Sequence, residues 1–280
     1  ETGHLAKFGH VYQLTNTGCF VLIAGSARED ACLTLIAHRV SELSLIPGIV
    51  VSDYDNNAEN IEIPDDRLIR QYLGEPDDHI PSPTPGQEII FGKTRRRIPN
   101  WYNLDSPVMS GVAKDGDSLA FEAAARKEYI FAHLEELIEQ AFREFEELTG
   151  SEMSQVYASG MKNPQAIITI DSGTFSVTEQ ESWADRKTDL IRISRLSPFP
   201  EKQIQEVISK RRSVTLIEPI QDETTFETDL FTRIKQVNPS GTIKWYHAKS
   251  RSVIREEDLF LAADHMKNGK EPKEYYLGIP

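Results

Sequence analysis

The side chains of this sequence that could do chemistry are thinly spread. The seven histidines, His4, His10, His38, His79, His133, His247 and His265, form no H-x-x-x-H or H-E-x-x-H pair, so a helical metal site is not supported. Cys19 and Cys32 are the only thiols and make no C-x-x-C, which removes zinc, iron–sulfur and dithiol sites from this chain alone. No G-x-S-x-G elbow presents a serine nucleophile, and neither G-x-G-x-x-G nor a P-loop is present to cradle a nucleotide. The turn Asp171-Ser172-Gly173-Thr174 could offer backbone N–H groups to a phosphate or carboxylate. Ser172 or Thr174 would serve equally as a helix N-cap, and Asp171 would repel an anion. Glu135, Glu136, Glu139, Glu144, Glu146 and Glu147 give one helix an acidic face, which fits acid/base or metal chemistry but equally a solvated surface. Residue by residue, no self-sufficient active site emerges, and no catalytic, cofactor-binding or metal-ligating residue is assigned to this chain.

The elements that would position these groups read as α/β. With 280 residues, 39% of them apolar and 27% charged, the chain can bury a core without disulfides. Its 31 basic and 44 acidic side chains leave a net charge of −13. That field opposes phosphate backbones and anionic lipids, and Arg95-Arg96-Arg97 is too short a basic run to reverse it, so neither nucleic acid nor membrane is an expected partner. No apolar stretch approaches the roughly 18 residues of a spanning helix. A reducing, cytoplasmic setting is the simplest one for two unpaired thiols.

Four zones follow. In residues 1–73, the run Phe20–Ala24, a helical pattern with Cys32, Leu35, Ile36, Val40 and Leu43 on one face, and Gly48–Val51 form one βαβ unit of a parallel sheet. Such a unit leaves sheet edges that upstream sequence or another chain must cover. Residues 74–116 hold Pro76, Pro81, Pro83, Pro85, Pro99 and Pro107 and read as an extended crossover arm. Trp101 and Tyr102 are its candidate partner anchors, with packing on their own domain as the alternative. Residues 117–155 carry a long amphipathic helix from near Asp117 to Thr149, with Gly150 placed to end it. Residues 156–280 alternate strands (166–170, 190–194, 214–218, 242–246) with helical patterns (177–186, 201–210, 226–237, 256–267). This predicts a doubly wound parallel sheet with ligands or partners beyond the carboxyl ends of its strands. At the end of its second strand, Ser197-Pro198-Phe199-Pro200 makes a stiff turn whose Phe199 can plug a pocket.

That last segment carries a resemblance. Leu190-Ile191-Arg192-Ile193 followed by Ser197-Pro198-Phe199-Pro200 resembles the strand and R-P-F-P turn of 2-oxoacid:ferredoxin oxidoreductases, the pyruvate synthase type in particular. Thr15-Asn16-Thr17-Gly18-Cys19-Phe20 is similar to the R-D-T-G turn of the pyrimidine-binding domain, and Leu104 to Gly111 to the stretch after the family's proline-rich crossover. Leu148-Thr149-Gly150 resembles the end of its long helix, Ser172-Gly173 its G-S turn, and Val214-Thr215-Leu216-Ile217-Glu218 its next strand. The order is preserved from about residue 10 to 275.

The resemblance implies a shortened alpha-type subunit, with a partial pyrimidine-binding βαβ unit and a transketolase-C-like second domain. In the family, thiamine diphosphate and iron–sulfur clusters serve decarboxylation of a 2-oxoacid and acyl-CoA formation. The segment supplying the cofactor-activating glutamate has no counterpart in this sequence. Ser197 replaces the arginine of R-P-F-P, Asp171 the glycine of G-S, and Ala248-Lys249-Ser250 stands in place of a glycine-rich turn from which Arg251 alone survives. The implied role is an accessory component of a hetero-oligomer, with thiamine diphosphate and the clusters on beta-, gamma- or delta-type partners. Two alternatives are the carboxyl-terminal part of a catalytic alpha subunit, and a module binding a small anion or CoA. Thr17, Gly18, Ser172, Gly173, Thr174 and Arg251 are the candidate ligand or interface residues.

Overall fold

The computed structural model describes residues 9–52, 63–99, 115–170, 178, 181–219, 228–238, 241–250, 254–269 and 274–277. In chain order the elements are α1 (Gly9–Leu14), β1 (Phe20–Ala24), α2 (Ala27–Ser44), β2 (Gly48–Ser52), α3 (Asp66–Leu73), β3 (His79–Pro81), α4 (Pro85–Phe91) and β4 (Thr94–Arg96). They continue with α5 (Gly116–Tyr129), a 3₁₀ turn at Phe131–His133, α6 (Leu134–Thr149), β5 (Val156–Ala158), β6 (Gln165–Thr169), α7 (Glu181–Ala184), β7 (Thr188–Ile193) and β8 (Arg195–Ser197). The last are α8 (Glu201–Ile208), β9 (Ser213–Pro219), α9 (Asp229–Val237), β10 (Lys244–Ser250), α10 (Glu256–Asn268) and β11 (Glu274–Leu277). Two compact units draw on these, one from residues 1–30, 49–61 and 154–280, the other from 31–48 and 62–153.

The first unit is built on a six-stranded sheet in the order β11-β10-β9-β6-β7-β5. Its neighbours are parallel except at the β5 edge, where Val156–Ala158 runs antiparallel to β7. The central strands are apolar on both sides because both faces are covered. Ile168, Ile191, Ile193, Val214 and Leu216 pack with Ile204 and Ile208 of α8 and Leu230, Phe231 and Ile234 of α9. Ile167, Leu190, Ile217 and Ala248, one residue out of phase, pack with Trp183 of α7 and Leu259, Ala262 and Ala263 of α10. The expected mixed α/β domain with a parallel-rich sheet is present.

Several elements differ from expectation. The strand expected at 242–246 is Lys244–Ser250, so Ala248-Lys249-Ser250 is not a turn; these residues pair with β9 on one side and β11 on the other. Their polar character hid the strand, although a position flanked by two strands has its backbone groups satisfied whatever its side chain. The strand β1 was expected to need upstream sequence or another chain beside it. It lies instead in a three-stranded sheet ordered β2-β1-β8, where Arg195–Ser197 of the same chain pairs with it antiparallel. In α2, Leu33 and Ala37 join Cys32, Ile36, Val40 and Leu43 in the buried set, while Leu35 is only half buried.

In the second unit the proline-rich segment is not an extended arm over residues 75–99. Its strands β3 and β4 pair antiparallel around α4, with His79 opposite Arg96. Pro85 starts α4 rather than forbidding it, since the first turn has no carbonyl partner to lose, and Thr84 caps Gln87 N–H. Arg95 then fastens the segment: its guanidinium donates to Gln87 Oε1 at 2.6 Å and to the carbonyls of Arg96, Arg97, Glu42 and Leu43. Burial pushes its pKa down to about 10, which leaves it charged at neutral pH. Arg97 lies 3.6 Å from both Glu42 and Asp78, and Arg96 pairs with Asp77, so this basic run is spent inside its own unit.

The single helix expected over 117–149 is two. Ile130, at φ −130° and ψ −63°, breaks it, and only α6 has the buried stripe Leu134, Leu137, Ile138, Ala141, Phe142 and Phe145. Tyr72 of α3 meets Phe145 edge-on at 5.2 Å and donates to the Ala141 carbonyl at 2.8 Å. Gly150 ends α6 in the left-handed region at φ 69°, as its placement predicts. Replacing Arg95 by Met strands the carbonyls that it binds, so Arg95→Met is expected to lower stability by about 3 kcal/mol in urea unfolding; a change below roughly 1 kcal/mol contradicts this account.

Candidate functional site

In the six-stranded sheet the chain leaves β6 toward β7 on one side and β9 toward β10 on the other, which makes the carboxyl ends of β6 and β9 the switch point where open α/β sheets place their ligands. Glu218, next to last in β9, is 1% exposed there. A carboxylate so far from water needs donors, and three elements supply them. Tyr12 of α1 donates its hydroxyl to Oε1 at 2.8 Å, Thr228 at the start of α9 donates to Oε2, and His247 Nε2 of β10 lies 2.8 Å from Oε2. The His247 ring is stacked on Phe231 with centroids 4.5 Å apart, which holds its orientation. Lys235 in turn sits over the Phe231 ring at 4.9 Å.

Burial first, then the charge of Glu218 and the hydrogen bond to it, raise the Tyr12 pKa well above the ordinary phenol value. Tyr12 therefore remains a proton donor throughout the neutral range. Its ring also borders a cleft shared with Thr15, Leu196, Phe199 and Arg233, so Phe199 does line a cavity as its position predicts. That cleft has room for about one water molecule. Tyr12, Thr228 and His247 thus close over Glu218, and among the described residues the adjoining cleft has no room for an organic substrate.

A second group closes the turn between β1 and α2. Glu29 accepts the Gly25 N–H at 2.7 Å, and Arg192 of β7 donates to the other Glu29 oxygen at 2.6 Å while lying 4.4 Å over the Tyr157 ring. The chain's own carboxylate thus fills the helix start where an external anion would bind. A third group lies at the amino ends of the strands: Asp189 receives Arg211 and the Asn163 side chain, and Arg211 also donates to the Gly160 carbonyl at 3.0 Å. Among the described residues no three or more His, Cys, Asp or Glu side chains gather as a metal would require.

The residues singled out from the sequence are placed as follows. Thr17 and Gly18 lie in the turn after α1; the Thr17 hydroxyl donates to the Leu14 carbonyl at 2.6 Å, and Gly18 adopts φ 83°, a conformation that suits glycine. Ser172, Gly173, Thr174, Arg251, Trp101 and Tyr102 fall outside the described residues. Tyr12, Thr228 and His247 were not singled out as a site. The acidic Glu218 closing an apolar strand was the one available signal, since a charge at the end of a buried strand must find partners in the fold.

No family model matches the sequence, and no curated protein matches it. Among solved structures the chain is similar to the 2-oxoglutarate:ferredoxin oxidoreductase from Magnetococcus marinus with 2-oxoglutarate, coenzyme A and succinyl-CoA bound. The identity is 14% over 89% of this chain and 42% of that one, with a TM-score of 0.44. This sequence thus spans less than half the length of the chain it matches.

Two outcomes follow from this geometry. A Cβ on Gly25 would stand 1.3 Å from Arg192 Nη1, so Gly25→Ala forces the guanidinium off Glu29. The expected loss is about 2 kcal/mol in urea unfolding, and Arg192→Met, which vacates the space, should largely remove the additional effect of the alanine. Tyr12 keeps its proton in the folded state at pH values where the unfolded chain, with a phenol pKa of about 10, releases it. Its contribution is fully present below that pH and is lost as pH rises toward the folded-state value. The same holds for Tyr72 and Tyr275, whose pKa values burial also raises. Unfolding free energy should therefore fall with increasing pH above about 10, and Tyr12→Phe should make that fall shallower; an equally steep alkaline limb in the variant would contradict the assignment.

Proposed function

We propose that this chain is an accessory, alpha-type component of a 2-oxoacid:ferredoxin oxidoreductase assembly of the pyruvate synthase kind, with catalysis on partner subunits. The order of the motif segments along the sequence supports the family. Two of those segments lie on central strands, β7 leading to Ser197-Pro198-Phe199-Pro200 and β9 ending at Glu218-Pro219.

The accessory role is carried by one observation: the buried carboxylates of the sheet-bearing unit already have partners from the chain itself. Glu218 is held by Tyr12, Thr228 and His247, Asp189 by Arg211 and Asn163, and Asp258 accepts the Arg255 N–H at 2.9 Å. Activation of thiamine diphosphate requires a carboxyl group free to exchange a proton with the aminopyrimidine. Glu218, Asp189 and Asp258 do not fit that role, and with only Cys19 and Cys32 the chain lacks a thiolate set for a cluster. Thiamine diphosphate and iron–sulfur clusters accordingly belong to beta-, gamma- or delta-type partners, and no catalytic step is routed through this chain.

Affinity purification from the native source, with the bound polypeptides identified by mass spectrometry, tests this reading. Recovery of thiamine-diphosphate-binding and iron–sulfur subunits in fixed proportion is the expected result. Turnover of pyruvate or another 2-oxoacid by the purified chain alone, supplied with thiamine diphosphate, CoA and an electron acceptor, would overturn it.

A further inference from the structure

Within the second unit a cleft of about 280 Å³ opens between three helices. Arg39 of α2, Gln71 and Tyr72 of α3, and Glu144, Glu147 and Leu148 of α6 line it. Part of this lining is fixed by the chain itself. Arg39 donates from Nε and Nη2 to Glu144 Oε2 at 3.2 and 3.0 Å, and Gln140 Nε2 donates to the other Glu144 oxygen at 2.6 Å. The Arg39 guanidinium lies 5.9 Å from the centre of the Tyr72 ring, and the Tyr72 hydroxyl is tied to the Ala141 carbonyl. Two polar groups of the cleft are left over. Gln71 and Glu147 are exposed, and neither makes a hydrogen bond or an ion pair among the described residues.

The charges choose the sign of what can enter. Arg39 and Glu144 compensate each other, so Glu147 leaves the cleft with one unbalanced negative charge. That carboxylate stands in the last turn of α6, where the helix dipole is itself negative and where no basic residue is present. A cation at this end offsets both. A metal ion would need three or more ligating side chains, and no such group gathers among the described residues. An organic cation needs only one counter-ion, and Leu148 with the Tyr72 ring offers apolar contact for its alkyl stem.

We infer that this cleft binds an alkylammonium or alkylguanidinium group, with Glu147 as counter-ion and the Gln71 amide oxygen as a second acceptor. The group belongs either to a free amine or to a Lys or Arg side chain of another polypeptide. This does not rest on the assignment to an oxidoreductase assembly, since it concerns the purified chain alone.

Titration of the full chain with n-butylguanidinium and n-butylammonium at neutral pH and physiological salt, followed by amide chemical shifts, reads the outcome, with butyrate as the anionic counterpart. Saturable shifts at the cleft residues are expected with both cations and none with butyrate. Glu147→Gln should weaken binding by at least about tenfold, and Gln71→Lys, which supplies a competing ammonium, by a similar factor. Glu146→Gln makes the same charge change on the same helix outside the cleft, and should alter binding by less than about twofold. All three positions are exposed, so the unchanged amide spectrum of each variant away from the cleft checks that it is folded. A Gly-Arg-Gly peptide blocked at both ends separates the sources: binding at least about tenfold tighter than n-butylguanidinium assigns the cleft to a polypeptide side chain, and weaker or equal binding assigns it to a free amine. The absence of cleft shifts with either cation, shifts with butyrate instead, or equal weakening by Glu146→Gln and Glu147→Gln overturns the inference, the last by reducing the effect to a general acidic surface.

Discussion

At Ser194 the backbone passes from one sheet to another, and the pairing there holds the sheet-bearing unit together. Ile23 donates its N–H to the Ser194 carbonyl at 2.7 Å, and the Ser194 hydroxyl returns a bond to the Ile23 carbonyl. Ser194 and Arg195 both donate their N–H groups to the Gln155 carbonyl, at 2.9 and 3.2 Å. A chain that leaves a buried strand exposes backbone groups that cannot return to water, so each must find a partner at the corner. Because those partners lie on β1 and just before β5, the corner ties the amino-terminal strand to the six-stranded sheet. It also brings α1 to the face where Glu218 is buried.

The same requirement governs the charged side chains. Glu218, Asp189 and Arg95 are each nearly inaccessible to water, and each is surrounded by groups from separate segments. Removing one partner from such a set costs more than the pair contributes to stability, because the remaining charge stays buried without compensation. These groups therefore specify how segments meet more than they add to the free energy of folding. Asp189 and Arg211 do this at the amino ends of the strands, where α/β folds keep structural contacts. Glu218 does so at the carboxyl ends, where related architectures bind ligands.

This difference bears on function. At the carboxyl ends the chain closes over its own carboxylate, with Tyr12, Thr228 and His247 joining three elements at Glu218. The proline-rich segment makes the same point in the second unit, where Arg95 draws in carbonyls of Glu42 and Leu43.

Much of the architecture is legible in the amino-acid sequence. Apolar runs with turn residues between them located β1, β6, β7 and β9, and the 3.6-residue period located α2, α6, α8 and α10, because burial of one face leaves a periodic trace. Gly150 marked the end of α6 for the same local reason. What only the tertiary structure decided were the partnerships of polar residues. Nothing local distinguishes Arg95 as a buried fastener from Arg96 at the surface, or reveals that Lys249 and Ser250 continue a strand. Nor does any spacing along the chain link Tyr12 with Glu218 and His247, which are separated by 206 and 29 positions from Glu218 respectively. Periodicity records which side of an element faces the core, whereas a hydrogen bond between distant segments exists only once the whole chain has brought them together.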